Sequence, residues 1–161
     1  MTNPIYRFAF GLLSLMLTGC IAGNNKNLSH LPPFNRYVGH NVVLDRPVFV
    51  FYEKDYLTMP NYSIQEAPLR SFTLEDGQLR KHVDFGVDKL PAGQRVFIES
   101  VRLKVGFDTG AFQTALGKMT LPSKGAEVPF FFRWGVDRTL NRAPWEPSST
   151  PERRSLSSEY R

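Results

Sequence analysis

The stretch Leu90-Pro-Ala-Gly-Gln-Arg-Val-Phe-Ile-Glu-Ser-Val-Arg-Leu-Lys-Val-Gly-Phe107 decides the fold. Val96 and Ile98 fall on one parity, and Val101, Leu103, Val105 and Phe107 fall on the other. Apolar residues at every second position mark a β-strand with one face in a core. The alternation slips by one residue at Glu99-Ser100. A one-residue slip inside a long strand is the signature of a β-bulge, which bends a sheet around its core. Arg102 and Lys104 then point outward.

The same reading extends in both directions. Val42-Val43-Leu44 leads into a run from Val48 to Tyr52 with apolar residues on both faces, so that strand is covered on both sides, with Pro47 at its start or on an edge. Leu69 to Phe85 alternates around Glu75-Asp76-Gly77, and Asp-Gly is a hairpin turn signal. The segment 127–135 places Phe130, Phe132 and Trp134 on one side. Beyond residue 20 no stretch has the period of an amphipathic helix. The expected fold class is therefore all-β: one small barrel or sandwich. Leu-Pro-Ala-Gly followed by its strand resembles the loop and strand of small SH3-like barrels in bacterial envelope proteins, and an OB-like barrel fits the same pattern. Thirteen Phe in a chain of 161 residues imply a filled interior rather than an empty ligand-carrying one.

The N-terminus has a different character. Arg7 precedes the ten-residue apolar run Phe8–Leu17, which suits a signal-peptide core and is too short to span a bilayer. Leu17-Thr18-Gly19-Cys20 follows and resembles the bacterial lipobox. The resemblance implies that residues 1–19 are a lipoprotein signal peptide and that Cys20 is the lipidation site and first mature residue. A diacylglyceryl Cys carries two or three acyl chains, enough for stable anchorage where one is marginal. Ile21 rather than Asp after the Cys implies, by the sorting pattern of enteric-type bacteria, the outer membrane, with the domain facing the periplasm. Removal of residues 1–19 takes away only Arg7, so 19 basic and 15 acidic residues leave a charge of +4. Cys20 is the single cysteine, which excludes an internal disulfide framework.

Residues 20–33, rich in Asn, read as the lipidated Cys and a flexible tether; thirteen residues after Cys20 would reach at most about 40 Å. Residues 34–135 form the expected β-domain. Residues 136–161 read as a tail rich in Pro and Ser, disordered from about Ser148. Within it Trp145 has two readings: its ring packs back onto the barrel, which is the plainer one, or it anchors a partner.

One motif raises catalysis. Phe107-Asp108-Thr109-Gly110-Ala111 resembles the active-site stretch of retropepsin-like aspartic peptidases. The resemblance implies a dimer in which two copies of Asp108 share a proton and activate water, with Thr109 and Gly110 shaping the loop. Arg102 and Lys104 interrupt the strand ahead of it, and Arg133-Trp134-Gly135 departs from the apolar-apolar-Gly stretch that family uses. Asp-Thr-Gly is equally turn chemistry, and a tight turn joining two strands is the expectation. His30, His40 and His82 have no metal-ligand spacing. No cofactor and no nucleic acid partner are expected. The expected role is non-catalytic: binding or scaffolding, with an envelope protein or peptidoglycan as partner and Trp145, Arg102 and Lys104 as candidate contacts.

Overall fold

A computed structural model of the chain describes residues 25–53, 59–75, 78–106 and 110–156. In chain order its strands are β1 (Asn25–Asn27), β2 (Asn41–Val43), β3 (Val48–Tyr52), β4 (Tyr62–Gln65), β5 (Leu69–Glu75) and β6 (Gln78–Asp84). There follow β7 (Asp88–Leu90), β8 (Arg95–Gly106), β9 (Gly110–Leu121), β10 (Ala126–Val136), β11 (Thr139–Asn141) and β12 (Arg153–Ser155). A single turn of 3-10 helix, Phe34–Arg36, is the helical element among the described residues. The expected all-β class, a small barrel or sandwich, is what the structure has.

β8, β9 and β10 form an antiparallel meander of long strands at the centre. The main sheet runs β1-β8-β9-β10-β4-β3-β7, with β2 on the same edge of β8 as β1, and β11 and β12 extending from β10. β4 lies parallel to β10, so the sheet is mixed. Two short connections, residues 44–47 between β2 and β3 and residues 91–94 between β7 and β8, bring the sheet's two edges together. They are hydrogen-bonded to each other: Leu44 N–H donates to the Gln94 carbonyl at 2.9 Å and Gly93 N–H to the Leu44 carbonyl at 2.8 Å. The sheet thus curls on itself around one core. β5 and β6 pair apart from it as a hairpin, Glu75 opposite Gln78, with the two-residue Asp76-Gly77 connection that its sequence requires.

The expected bulge is present. The register of β8 on β9 shifts between Ile98 and Ser100. The extra residue lets Val96, Ile98 and Val101 all enter the core although their parities differ. Gly117 lies opposite Ile98, and a Cβ there would run into the Phe97 carbonyl oxygen. A second shift, between Arg133 and Gly135, bends β10 and turns Trp134 fully inward. Gly135 is again needed, because a Cβ would meet the Thr139 carbonyl oxygen.

Phe34, Phe130, Phe132, Trp134 and Trp145 lie in the core. Ring centroids are 5.1 Å apart for Phe34 and Trp134, 5.2 Å for Trp134 and Trp145 and 5.3 Å for Phe132 and Trp145, all edge to face. That arrangement sets each electropositive ring edge on a neighbour's electronegative face, about 0.5–1.5 kcal/mol per pair beyond area burial.

Both expected domain boundaries need correction. The stretch read as a tether is part of the domain from Asn25 onward. β1 pairs with Arg102 to Lys104, Leu28 is 1% exposed, and its N–H donates to the Val101 carbonyl at 2.8 Å. A three-residue polar strand, Asn-Lys-Asn, shows no apolar alternation because its pairing is made by backbone groups alone. The stretch read as a tail also belongs to the domain, through Leu156. β11 pairs with β10 and with β12, and Leu140 and Ala143 are fully buried. Trp145 is 5% exposed, so the ring is a core group and not a partner contact. Glu146 is 0% exposed; it forms an ion pair with Arg154 and accepts the Ala143 N–H at 2.7 Å. The many prolines and serines that suggested disorder stand between these few anchoring groups.

Candidate functional site

Two surfaces carry chemistry outside the core. The first lies on the outer face of the meander beside β1. Residues directly opposed across an antiparallel pair share a face. Arg102 lies opposite Asn27 on one side and Thr114 on the other, and Thr114 is opposite Arg133. Lys104 lies opposite Asn25 and Phe112, and Phe112 is opposite Val136. Arg102, Lys104 and Arg133 therefore share one face with Phe112 and Val136. Arg102 and Arg133 are exposed, Lys104 is half-buried and Val136 is 43% exposed. The Arg133 guanidinium sits 5.4 Å above the Phe112 ring, a cation–π contact. Burial first, then the Arg102 charge, holds the Lys104 ammonium below its ordinary pKa. Asp137, next to Val136 in the chain, accepts the Ala111 N–H on its Oδ1 at 3.2 Å. Arg102 and Lys104 were singled out in the sequence, and the structure sets them side by side and adds Arg133.

The peptidase-like stretch lies at the tip of this same meander. Gly106 pairs with Gly110, so Phe107, Asp108 and Thr109 connect β8 to β9. Asp108 and Thr109 are outside the described residues, as is Cys20. Gly110 is exposed and has φ +78°, the left-handed backbone that glycine adopts without strain. His30 and His40 are both exposed, and among the described residues no three His, Cys, Asp or Glu come together as a metal site.

The second surface is a cleft of about 860 Å³. It opens where β4, after pairing with Phe130 and Phe131, leaves the edge of β10 that β11 takes up from Gly135. Phe131 and Phe132 line its floor, and its walls hold Arg46, Arg133, Arg142 and Arg153 against Glu53, Glu66 and Glu152, four cations to three anions. Arg46 Nη2 donates to Glu66 and to the Arg142 carbonyl at 2.8 Å. Its Nε and Nη1 are buried without a hydrogen-bond partner among the described residues. Ser63 donates its hydroxyl proton to Glu53. Arg142 is braced by the Ser148 carbonyl at 2.7 Å. Fixed guanidinium forks beside carboxylates and apolar rings suit an extended ligand with charges of both signs. Sequence reading missed this cleft because its residues come from distant segments with no common spacing.

No family model matches this chain, and no curated protein or solved structure matches it significantly.

Proposed function

We propose that this chain is an exported lipoprotein, anchored through Cys20 in the outer membrane, whose β-domain binds or scaffolds on the periplasmic side without catalysis. The observation that carries this reading is Leu17-Thr18-Gly19-Cys20 at the end of a charged and then apolar leader. The sole cysteine sits at the lipobox position, and the first described strand, β1, starts five residues later at Asn25. The cleft beside β10 is the binding site in this reading. Its mixture of fixed charges and Phe131 and Phe132 fits an extended peptide, either a segment of an envelope protein or the stem peptide of peptidoglycan.

Labelling cells with radioactive palmitate tests the anchor. Label is expected in the wild-type protein and absent from Cys20→Ser; label that enters both equally, or neither, overturns the proposal. The non-catalytic part has its own test. Turnover of peptides by the purified protein, abolished in Asp108→Asn, would replace it with an aspartic peptidase.

A further inference from the structure

We propose that the cleft beside β10 selects its ligand by charge order: it takes a short peptide whose ammonium group rests on Glu53 and whose carboxylate rests on Arg142 and Arg153. This rests on the cleft being the binding site of the domain. The first support is how charge divides between the walls. Arg46 and Glu66 are paired with each other, and Arg46 also donates to the Arg142 carbonyl, so the pair ties the two walls together and adds no net charge. What remains on the β4 wall is Glu53. Its carboxylate accepts the hydroxyl proton of Ser63, itself 2% exposed, and its N–H donates to the Asn61 carbonyl at 2.7 Å. Glu53 has no ion pair among the described residues. On the opposite wall Arg142 Nη1 is held by the Ser148 carbonyl, and its Nη2 stands 3.9 Å from Glu152, whose side chain is 87% exposed. Arg153 is exposed and has no ion pair among the described residues. Two cations against one loosely held anion leave that wall positive. Arg133 also borders the cleft, with its guanidinium over the Phe112 ring.

The second support is spacing. β4 and β11 approach each other along the edge of β10 that β9 leaves open. Ser63 lies opposite Phe131 and Leu140 opposite Gly135, with Asn141 one residue nearer to β4 and Arg153 paired to Asn141. The positions of Ser63 and Asn141 are thus about three residues apart along β10, roughly 10 Å at the rise of a strand. An extended peptide of about three residues has the same span between its ends. Phe131 and Phe132 form the floor between the two charged ends and bring no charge of their own. A ligand with one sign of charge meets attraction at one wall and repulsion at the other, whereas a ligand with both, in this order, is satisfied at each end. A charge-assisted hydrogen bond at either end should be worth about tenfold in affinity.

The test titrates the protein, as purified from cells, with tri-alanine and follows the amide NMR signals of Ser63 and Asn141, one on each wall. The peptide is used with free ends, N-acetylated, C-amidated and capped at both ends. The free form should bind and move both signals, and each cap should weaken binding about tenfold. Variants assign the ends. Glu53→Gln should abolish the penalty of N-acetylation and keep that of C-amidation. Arg153→Gln, at an exposed position, should reduce the penalty of C-amidation alone, and Arg142→Gln should reduce it further. The caps alter the ligand and not the protein, so the proposal stays testable even where Arg142→Gln fails to fold. The peptide acetyl-Lys-Ala-Glu-amide carries both charges on side chains and separates their sources: binding as tight as tri-alanine admits side-chain charges, and weaker binding assigns the site to free termini. Caps without effect, or a cap penalty relieved by the variant at the wrong end, overturn the charge order while the cleft keeps its peptide. No movement with any of the peptides overturns the cleft as a peptide site, and the charge order with it. Neither result touches the lipid anchor, which palmitate labelling decides.

Discussion

The inner and outer faces of β8, β9 and β10 beside β1 are built from the same rows of residues and have opposite characters. On the inner side Val101, Gln113 and Trp134 are buried, and Phe34, Tyr37 and Trp145 pack against the Trp134 ring or beside it. On the outer side Arg102 and Arg133 are exposed and lie on either side of Thr114, which is itself 1% exposed. Stability belongs mainly to the first face. A substitution at an exposed outer residue should therefore cost little stability.

The largest expected effect is on the inner face. Trp134→Ala removes a fully buried indole from the centre of the aromatic cluster and should cost about 3–5 kcal/mol, read as a fall in the urea midpoint. Gly117→Ala should also cost several kcal/mol, since the Phe97 carbonyl oxygen and the Phe130 ring leave no room at the bend. Next is Glu146→Gln, which leaves the Arg154 guanidinium without its anion. Arg154 is 24% exposed, so water relieves part of the charge and the loss should be about 2–3 kcal/mol. A double-mutant cycle with Arg154→Met isolates the pair. If Trp134→Ala unfolded the domain no more readily than a surface substitution, the division between the faces would be wrong.

A smaller effect concerns acid. Burial pushes the Asp88 carboxyl up. The Ser123 N–H at 3.0 Å and hydroxyl at 2.8 Å, with the Lys89 N–H at 2.8 Å, outweigh it and hold the group below its ordinary value. The folded state then binds its proton less readily than the unfolded chain. The contribution is fully present above the ordinary carboxylate pKa of about 4 and is lost as pH falls through the lower folded value. Asp88→Asn should lower stability at neutral pH and flatten the acid limb, so that the variant and the wild type converge as pH falls below the folded value. The smallest effect is on the outer face: Arg102→Ala should change stability by no more than about 0.5 kcal/mol. Removal of the like charge should also raise the pKa of the Lys104 ammonium, which NMR titration would show.

The strands, the bulge at Glu99 and the Asp76-Gly77 hairpin were legible because apolar alternation and turn residues are local signals. Phe130, Phe132 and Trp134 were likewise legible as one buried side. The second bend was not, since Phe130-Phe131-Phe132 is apolar on both parities and hides a shift of register. β1 and β12 escaped because Asn-Lys-Asn and Arg-Arg-Ser are held by backbone pairing and carry no hydrophobic pattern. Glu146 looked like one more solvated charge, and its burial depends on Arg154, eight residues away and brought near by the return of β12. Of the outward contacts, Arg102 and Lys104 could be read from the strand period. Arg133 required the register of β10, and the cleft required the parallel placement of β4.

The intact mass of the protein extracted from membranes tests the central claim most directly. The account predicts a chain that begins at Cys20 and carries the added mass of two or three acyl chains. A chain that retains residues 1–19, or one whose Cys20 keeps a free thiol, would contradict it.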